Sequence, residues 1–182
     1  MALMLTFAVQ GLAEVYELRT YTTHPGKLKN LHARFRDHTV KLFQKHGMES
    51  VGYWVPTDGA KANNTLIYVL KHKSREAAKK SWAAFISDPE WKKVFKASRK
   101  DGPLLSKAPE SVYMSATDYT PKVKEEKASD DAVFELRIYK CNKGKLKNLD
   151  ARFRDHTIRI FNRFGMKSIA YWHPIEKPAS ED

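Results

Sequence analysis

The stretch VYELRTYTTHPGKLKNLHARFRDHTVKLFQKHGMESVGYWVP at residues 15–56 returns as VFELRIYKCNKGKLKNLDARFRDHTIRIFNRFGMKSIAYWHP at residues 133–174. About 25 of the 42 paired positions are identical at an offset of 118 residues, far longer than a solenoid period. The chain therefore carries a domain-sized sequence repeat. After Pro56 the first copy runs on for some 60 residues of patterned sequence, whereas only eight residues follow Pro174. The second copy reads as partial.

Working outward from the repeat, Val15 to Thr22 alternates as a strand, with Tyr16, Leu18 and Thr20 on one face and Glu17, Arg19 and Tyr21 on the other. From Lys27 to His46, Leu28, Leu31, Phe35, His38 and Leu42 form an apolar stripe at helical spacing, with Arg34 among the residues off it. Gly47 stands where a left-handed cap would end that helix. Val51 to Val55 and Thr65 to Leu70 read as two further strands. Ser74 caps a second helix, and Asp88-Pro89-Glu90 starts a short third one with proline at its first position. Val112 to Ala116 closes the series as a fourth strand. Strand, helix, strand, strand, helix, strand is the order of an α+β, ferredoxin-like sandwich.

These elements divide the chain. Residues 14–119 form a complete ferredoxin-like domain, the polar and charged residues 120–132 a linker, and residues 133–178 a partial second repeat of strand, helix and strand. Such a fragment cannot bury both faces of its sheet, so it is expected to pack its sheet on the first domain as an intramolecular pseudo-dimer or to form a homo-oligomer. Residues 1–13 are apolar and end in small residues, which fits the remnant of a signal peptide and export to the periplasm or medium. The alternative is an apolar first strand in a cytoplasmic protein. That stretch is too short to span a membrane.

At 182 residues and 42% hydrophobic composition the chain can bury a core. A net charge of +12 invites a nucleic-acid reading, but the basic residues interleave with acidic ones on helices, and no zinc-finger, helix-turn-helix or RNA-binding aromatic motif accompanies them. Specific nucleic-acid binding is not expected. Cys141 is the only cysteine, and the histidines show no ligand spacing, so neither a disulfide framework nor a metal site is expected. No glycine-rich phosphate loop and no Gly-x-Ser-x-Gly elbow is present, and no cofactor is implied.

The strand Tyr16-Glu17-Leu18-Arg19-Thr20-Tyr21, the helical Arg36-Asp37-His38, then Gly47, Tyr53-Trp54 and the turn Ser87-Asp88-Pro89-Glu90-Trp91 together resemble the NIPSNAP family. The resemblance spans the first domain and restarts in the second copy. It implies a ferredoxin-like fold of the dimeric α+β barrel type, related to small cofactor-free oxygenases, in which two sheets pack face to face. It implies no agreed chemical activity.

Three sets of residues are candidates for function. His38, matched by His156, is a titratable ring on an apolar stripe, and Tyr53 is its expected hydrogen-bond partner; these three are the catalytic candidates, against the plainer reading of satisfied core histidines. Glu17, Arg19 and Tyr21, matched by Glu135, Arg137 and Tyr139, are expected to pair across a seam between two sheets, or to line a polar pocket. Trp54, Trp82, Trp91 and Trp172 line a cavity or fill the core, the second being the commoner role. The absence of a nucleophile–base motif points to a protein-interaction or self-associating module. The alternative is a domain for a small apolar or aromatic ligand, such as a cofactor-independent monooxygenase or isomerase.

Overall fold

A computed structural model describes residues 13–121 and 132–176. The expected signal-peptide remnant and most of the expected linker lie outside these residues.

In chain order the elements are β1 (Val15–Thr22), α1 (Leu28–Arg34), a π-helical turn (Phe35–Thr39), α2 (Val40–Lys45), β2 (Glu49–Trp54), β3 (Thr65–His72), α3 (Arg75–Ser87), α4 (Pro89–Ala97) and β4 (Glu110–Ala116). They make an antiparallel sheet with helices on one face, the ferredoxin-like α+β arrangement. The second copy contributes α5 (Leu146–Arg152), a second π turn (Phe153–Thr157), α6 (Ile158–Arg163) and the short β5 (Trp172–Pro174). The sheet order is β2-β3-β1-β4-β5, so β1 is central and hydrogen-bonded on both sides.

Local sequence explains most boundaries. The Ser74 hydroxyl accepts from Ala77 N at 3.0 Å and so satisfies one of the free amides that open α3. Asp88 does the same for α4, accepting from Glu90 N at 2.7 Å and Trp91 N at 3.4 Å, with Pro89 at the first helical position. Gly47 adopts φ +72°, and the amide of Met48 reaches back to Phe43 O, which closes α2 as a left-handed cap.

The main core lies between the sheet and the helices. Leu31, Phe35, Leu42 and Phe43 from the first helical segment pack on Tyr21, Leu66, Tyr68 and Leu70 of the sheet and on Phe85 of α3. Each large apolar side chain buried there contributes roughly 1.5–3 kcal/mol. A smaller cluster covers the opposite face, where Tyr16, Val69 and Met114 meet Leu18, Trp54 and Trp172.

The second copy joins the first domain differently from the expectation. Instead of laying a sheet on the first domain, it adds β5 to the edge of β4, pairing Met114 with Pro174 and Ala116 with Trp172. Side chains reinforce that edge: Asp150 accepts from the Tyr119 hydroxyl at 2.8 Å and bonds His173 Nε2 at 2.9 Å, and Arg154 forks onto Asp118 at 2.7 and 3.0 Å. The strand expected from Val133 to Tyr139 is absent. Residues 132–140 are exposed and belong to no sheet, because no neighbour equivalent to β3 or β4 flanks them among the described residues. Phe134 leans on Trp54 with ring centroids 6.0 Å apart.

Candidate functional site

Glu17, Arg19 and Tyr21 of β1 point into the helix-covered face. Glu17 is completely buried, a position that costs several kcal/mol unless the carboxylate is fully bonded. It is bonded four times. Its Oε1 accepts from Arg19 Nη1 at 2.6 Å and Ser111 Oγ at 2.7 Å, and its Oε2 from Trp82 Nε1 at 2.7 Å and His72 Nε2 at 3.0 Å. Burial alone would raise the Glu17 pKa. The bond from His72, the Arg19 charge and the bonds from Ser111 and Trp82 outweigh it and hold the carboxyl at about 2.

Arg19 is the other half of this pair. Its guanidinium lies 4.3 Å from the centre of the Trp82 ring, and Nη2 reaches the Tyr21 hydroxyl at 3.4 Å. Its Nε is buried with no hydrogen-bond partner. The seam between sheets expected for Glu17, Arg19 and Tyr21 is therefore not where they sit: they lie beneath α3, because β1 turns its Tyr16 and Leu18 face away from the helices.

Beside Arg19 opens a cleft of about 440 Å³, walled by Tyr21, Trp82, Phe85, Ile86, Trp91, Lys92 and Phe95. The Asp-Pro-Glu-Trp turn sets the outer wall. Asp88 caps α4 while bonding Lys45 Nζ at 2.8 Å and His46 Nε2 at 2.7 Å, so the end of α2 fixes where Trp91 starts its helix. Those two partners and the cap amides lower the Asp88 pKa against the effect of burial. Trp91 then packs on Phe85 at 4.4 Å between ring centroids.

A second arginine stands close by. Arg34 is 5% exposed, with its guanidinium 5.3 Å from the Trp91 ring and 5.7 Å from the Phe95 ring. It bonds Ser98 Oγ at 3.3 Å, its Nε has no partner, and among the described residues no carboxylate pairs with it. Burial lowers its pKa, while Tyr21 and Tyr68 favour its charge. Tyr68 is itself fully buried with an unbonded hydroxyl, and burial raises its pKa well above the ordinary phenol value.

The sequence-derived catalytic candidates do not converge here. His38 and His156 are both exposed, because each lies in a π turn. A turn closed by i→i+5 bonds sets Thr39, not His38, over Phe35, and Thr39 is buried with its hydroxyl donating to Arg34 O at 3.1 Å. Arg34 lies before that turn, at the end of α1, and reaches the core side because it stands three residues after the buried Leu31 on the same helical face, although the stripe read from the sequence left it out. Tyr53 bonds Ser50 Oγ at 2.7 Å and stacks on Tyr68 at 5.5 Å; burial raises its pKa. Trp54 lies on the opposite sheet face from the cleft. Glu135, Arg137 and Tyr139 bond one another at the surface.

Sequence reasoning missed His72, Ser111 and Arg34. A titratable residue ending the otherwise apolar run Thr65 to His72 is a signal for the first. Nothing local marks the other two.

A NIPSNAP family profile matches residues 16–119, more than half of the chain. The chain belongs to the NIPSNAP family. A NipSnap homolog from Dictyostelium discoideum is 27% identical over 143 residues, covering 78% of this chain and 55% of that protein. The chain thus spans about half the length of that curated relative. Among solved structures, a NIPSNAP-like domain protein from Burkholderia xenovorans aligns with TM-score 0.52 at 16% identity, over 65% of this chain and 97% of the other. A NIPSNAP family protein from Agrobacterium tumefaciens aligns with TM-score 0.52 at 18% identity, over 59% and 97%. At these identities the solved structures speak for the fold. The residues that line the cleft, from Arg19 to Phe95, all fall within the matched residues.

Proposed function

We propose that this NIPSNAP chain is a binding domain for a small aromatic or apolar ligand, with the cleft between β1 and the α3–α4 pair as its site. The observation that carries this reading is the buried Arg19 Nε, a donor left without a partner at the wall of a cleft lined mostly by aromatic rings. A native interior seldom leaves such a donor open, since an unbonded buried polar group costs about 1–3 kcal/mol. A polar atom of a ligand would remove that cost, and the Trp82, Phe85 and Trp91 rings suit a flat body. Titration with 2-naphthol, followed by NMR of the labelled protein, tests this. Shifts centred on the Trp82 and Trp91 indole N–H signals and on Arg19 Nε–H are expected, and shifts centred on residues 132–140 would overturn the assignment.

A second reading, association of chains, is favoured by a separate observation: Leu136 and Ile138 are 51% and 78% exposed in a stretch that repeats the sequence of the doubly paired β1. A row of unpaired backbone groups with apolar side chains is a template for another strand, and a second copy of the chain would supply one. Light scattering then finds a concentration-dependent dimer that Ile138→Asp weakens. A monomer at every concentration removes this reading and leaves the cleft untouched.

A further inference from the structure

We infer that the ligand of this cleft is a carboxylate, an aromatic or acyl body ending in a single negative charge that sits against Arg19. The inference rests on the cleft being the binding site and goes further by naming the charge of what it binds. Three observations lead to it. The first is a charge count: Arg19 and Arg34 place two guanidinium groups around Tyr21 and Tyr68, and among the described residues Glu17 is the one carboxylate bonded to either. Glu17 is already committed, since all four of its bonds go to Arg19, Ser111, Trp82 and His72. Arg34 is thus left without a carboxylate in a largely dry place close by, where an opposite charge is worth far more than in water, and Lys92 adds an exposed cation to the cleft lining.

The second is the geometry of the spare donor. Arg19 uses one N–H of Nη1 on Glu17 and one of Nη2 on Tyr21, so Nε is the nitrogen left with no partner, on the side chain that lines the cleft. One unpartnered nitrogen is answered by a single carboxylate, which brings fewer acceptor oxygens and less charge to satisfy than a phosphate monoester does. The third is the aromatic wall. The Arg19 guanidinium lies 4.3 Å from the centre of the Trp82 ring, and Phe85 and Trp91 line the same cleft. A carboxylate at Arg19 thus has an apolar path for the body attached to it.

Isothermal titration calorimetry with 2-naphthoate, its neutral methyl ester and 2-naphthyl phosphate tests the charge directly. The naphthoate is expected to bind about tenfold more tightly than the ester, the equivalent of one charge-assisted bond. Arg19→Lys keeps the charge beside Glu17 and so keeps the fold, but loses the planar Nε donor; it should remove most of that preference, weakening the naphthoate more than the ester. Glu17→Gln combined with Arg19→Met removes the pair together, and its preference should fall further, with folding checked by its thermal transition. If the ester binds as tightly as the naphthoate, the carboxylate inference fails while the cleft reading stands. If the phosphate binds most tightly, the site selects a dianion and the inference is overturned. If none of the three binds at millimolar concentration, the cleft reading falls with it.

Discussion

Glu17, Arg19 and Tyr21 in the first copy and Glu135, Arg137 and Tyr139 in the second share sequence, spacing and local bonds. Arginine meets glutamate at 2.6 Å in one and 2.7 Å in the other, and the tyrosine hydroxyl at 3.4 and 3.3 Å. Their surroundings are opposite. The Glu17 side chain has no exposure, whereas that of Glu135 is 64% exposed. The difference comes from elements that begin after the repeat ends: His72 on β3, Trp82 on α3 and Ser111 on β4. A strand sequence therefore supplies a triad, and distant elements decide whether that triad is a buried electrostatic centre or a solvated surface pair.

The largest expected effect is the most direct way to break this comparison. Glu17→Ala leaves Arg19 charged, buried and without its carboxylate, a change that typically costs about 3–5 kcal/mol. Glu135→Ala removes an exposed pair and should leave the denaturation midpoint where it is. Urea unfolding of the two variants beside the parent decides. Equal effects at the two positions would show that burial does not separate the copies.

Next in size is the pH dependence that Glu17 imposes. Its carboxyl is held at about 2 in the folded chain against an ordinary value of 4.5. A group depressed by folding stabilises the protein above its unfolded pKa, and that contribution is lost as the pH falls from about 4.5 toward 2. The shift corresponds to on the order of 3 kcal/mol. Asp88 also titrates low, so the difference between the parent and Glu17→Gln isolates the Glu17 share. The Glu17→Gln protein should lose less stability on acidification than the parent. A Glu17→Gln curve parallel to the parent's would contradict the depressed carboxyl.

How much of this was legible in the sequence follows from how far each interaction reaches. The span of β1, the Ser74 and Asp88 caps and the Gly47 stop depend on neighbours within four residues, so the order of elements from β1 to β4 can be read from pattern and turn chemistry. The face on which Glu17 lies cannot, because β1 is the central strand and both of its faces are covered. Its partners His72, Trp82 and Ser111 stand 55, 65 and 94 residues away. The second copy misled for the same reason. Its residues 133–139 have the alternation of a strand, but a strand exists only where another strand pairs with it. His38 was misplaced by the π turn, which leaves no mark in a 3.6-residue periodicity.

The smallest expected effect sharpens the comparison from the other side. The sequence Phe-Arg-Asp-His-Thr forms a π turn in both copies, at 35–39 and at 153–157, and in both the histidine is exposed. If the turn itself sets the outward direction, His38→Ala and His156→Ala should behave alike although their copies differ so much in burial. Each should change stability by no more than about 0.5 kcal/mol, as exposed substitutions do. Neither should alter binding of 2-naphthoate, because the cleft is lined from β1, α3 and α4 and not from the π turn. A marked loss of binding in His38→Ala would return that histidine to the site and show that the turn straightens when ligand is present. Equal, negligible effects would assign both turns a packing role, in which Phe35 and Phe153 are held inward while the ring three residues later stays in water.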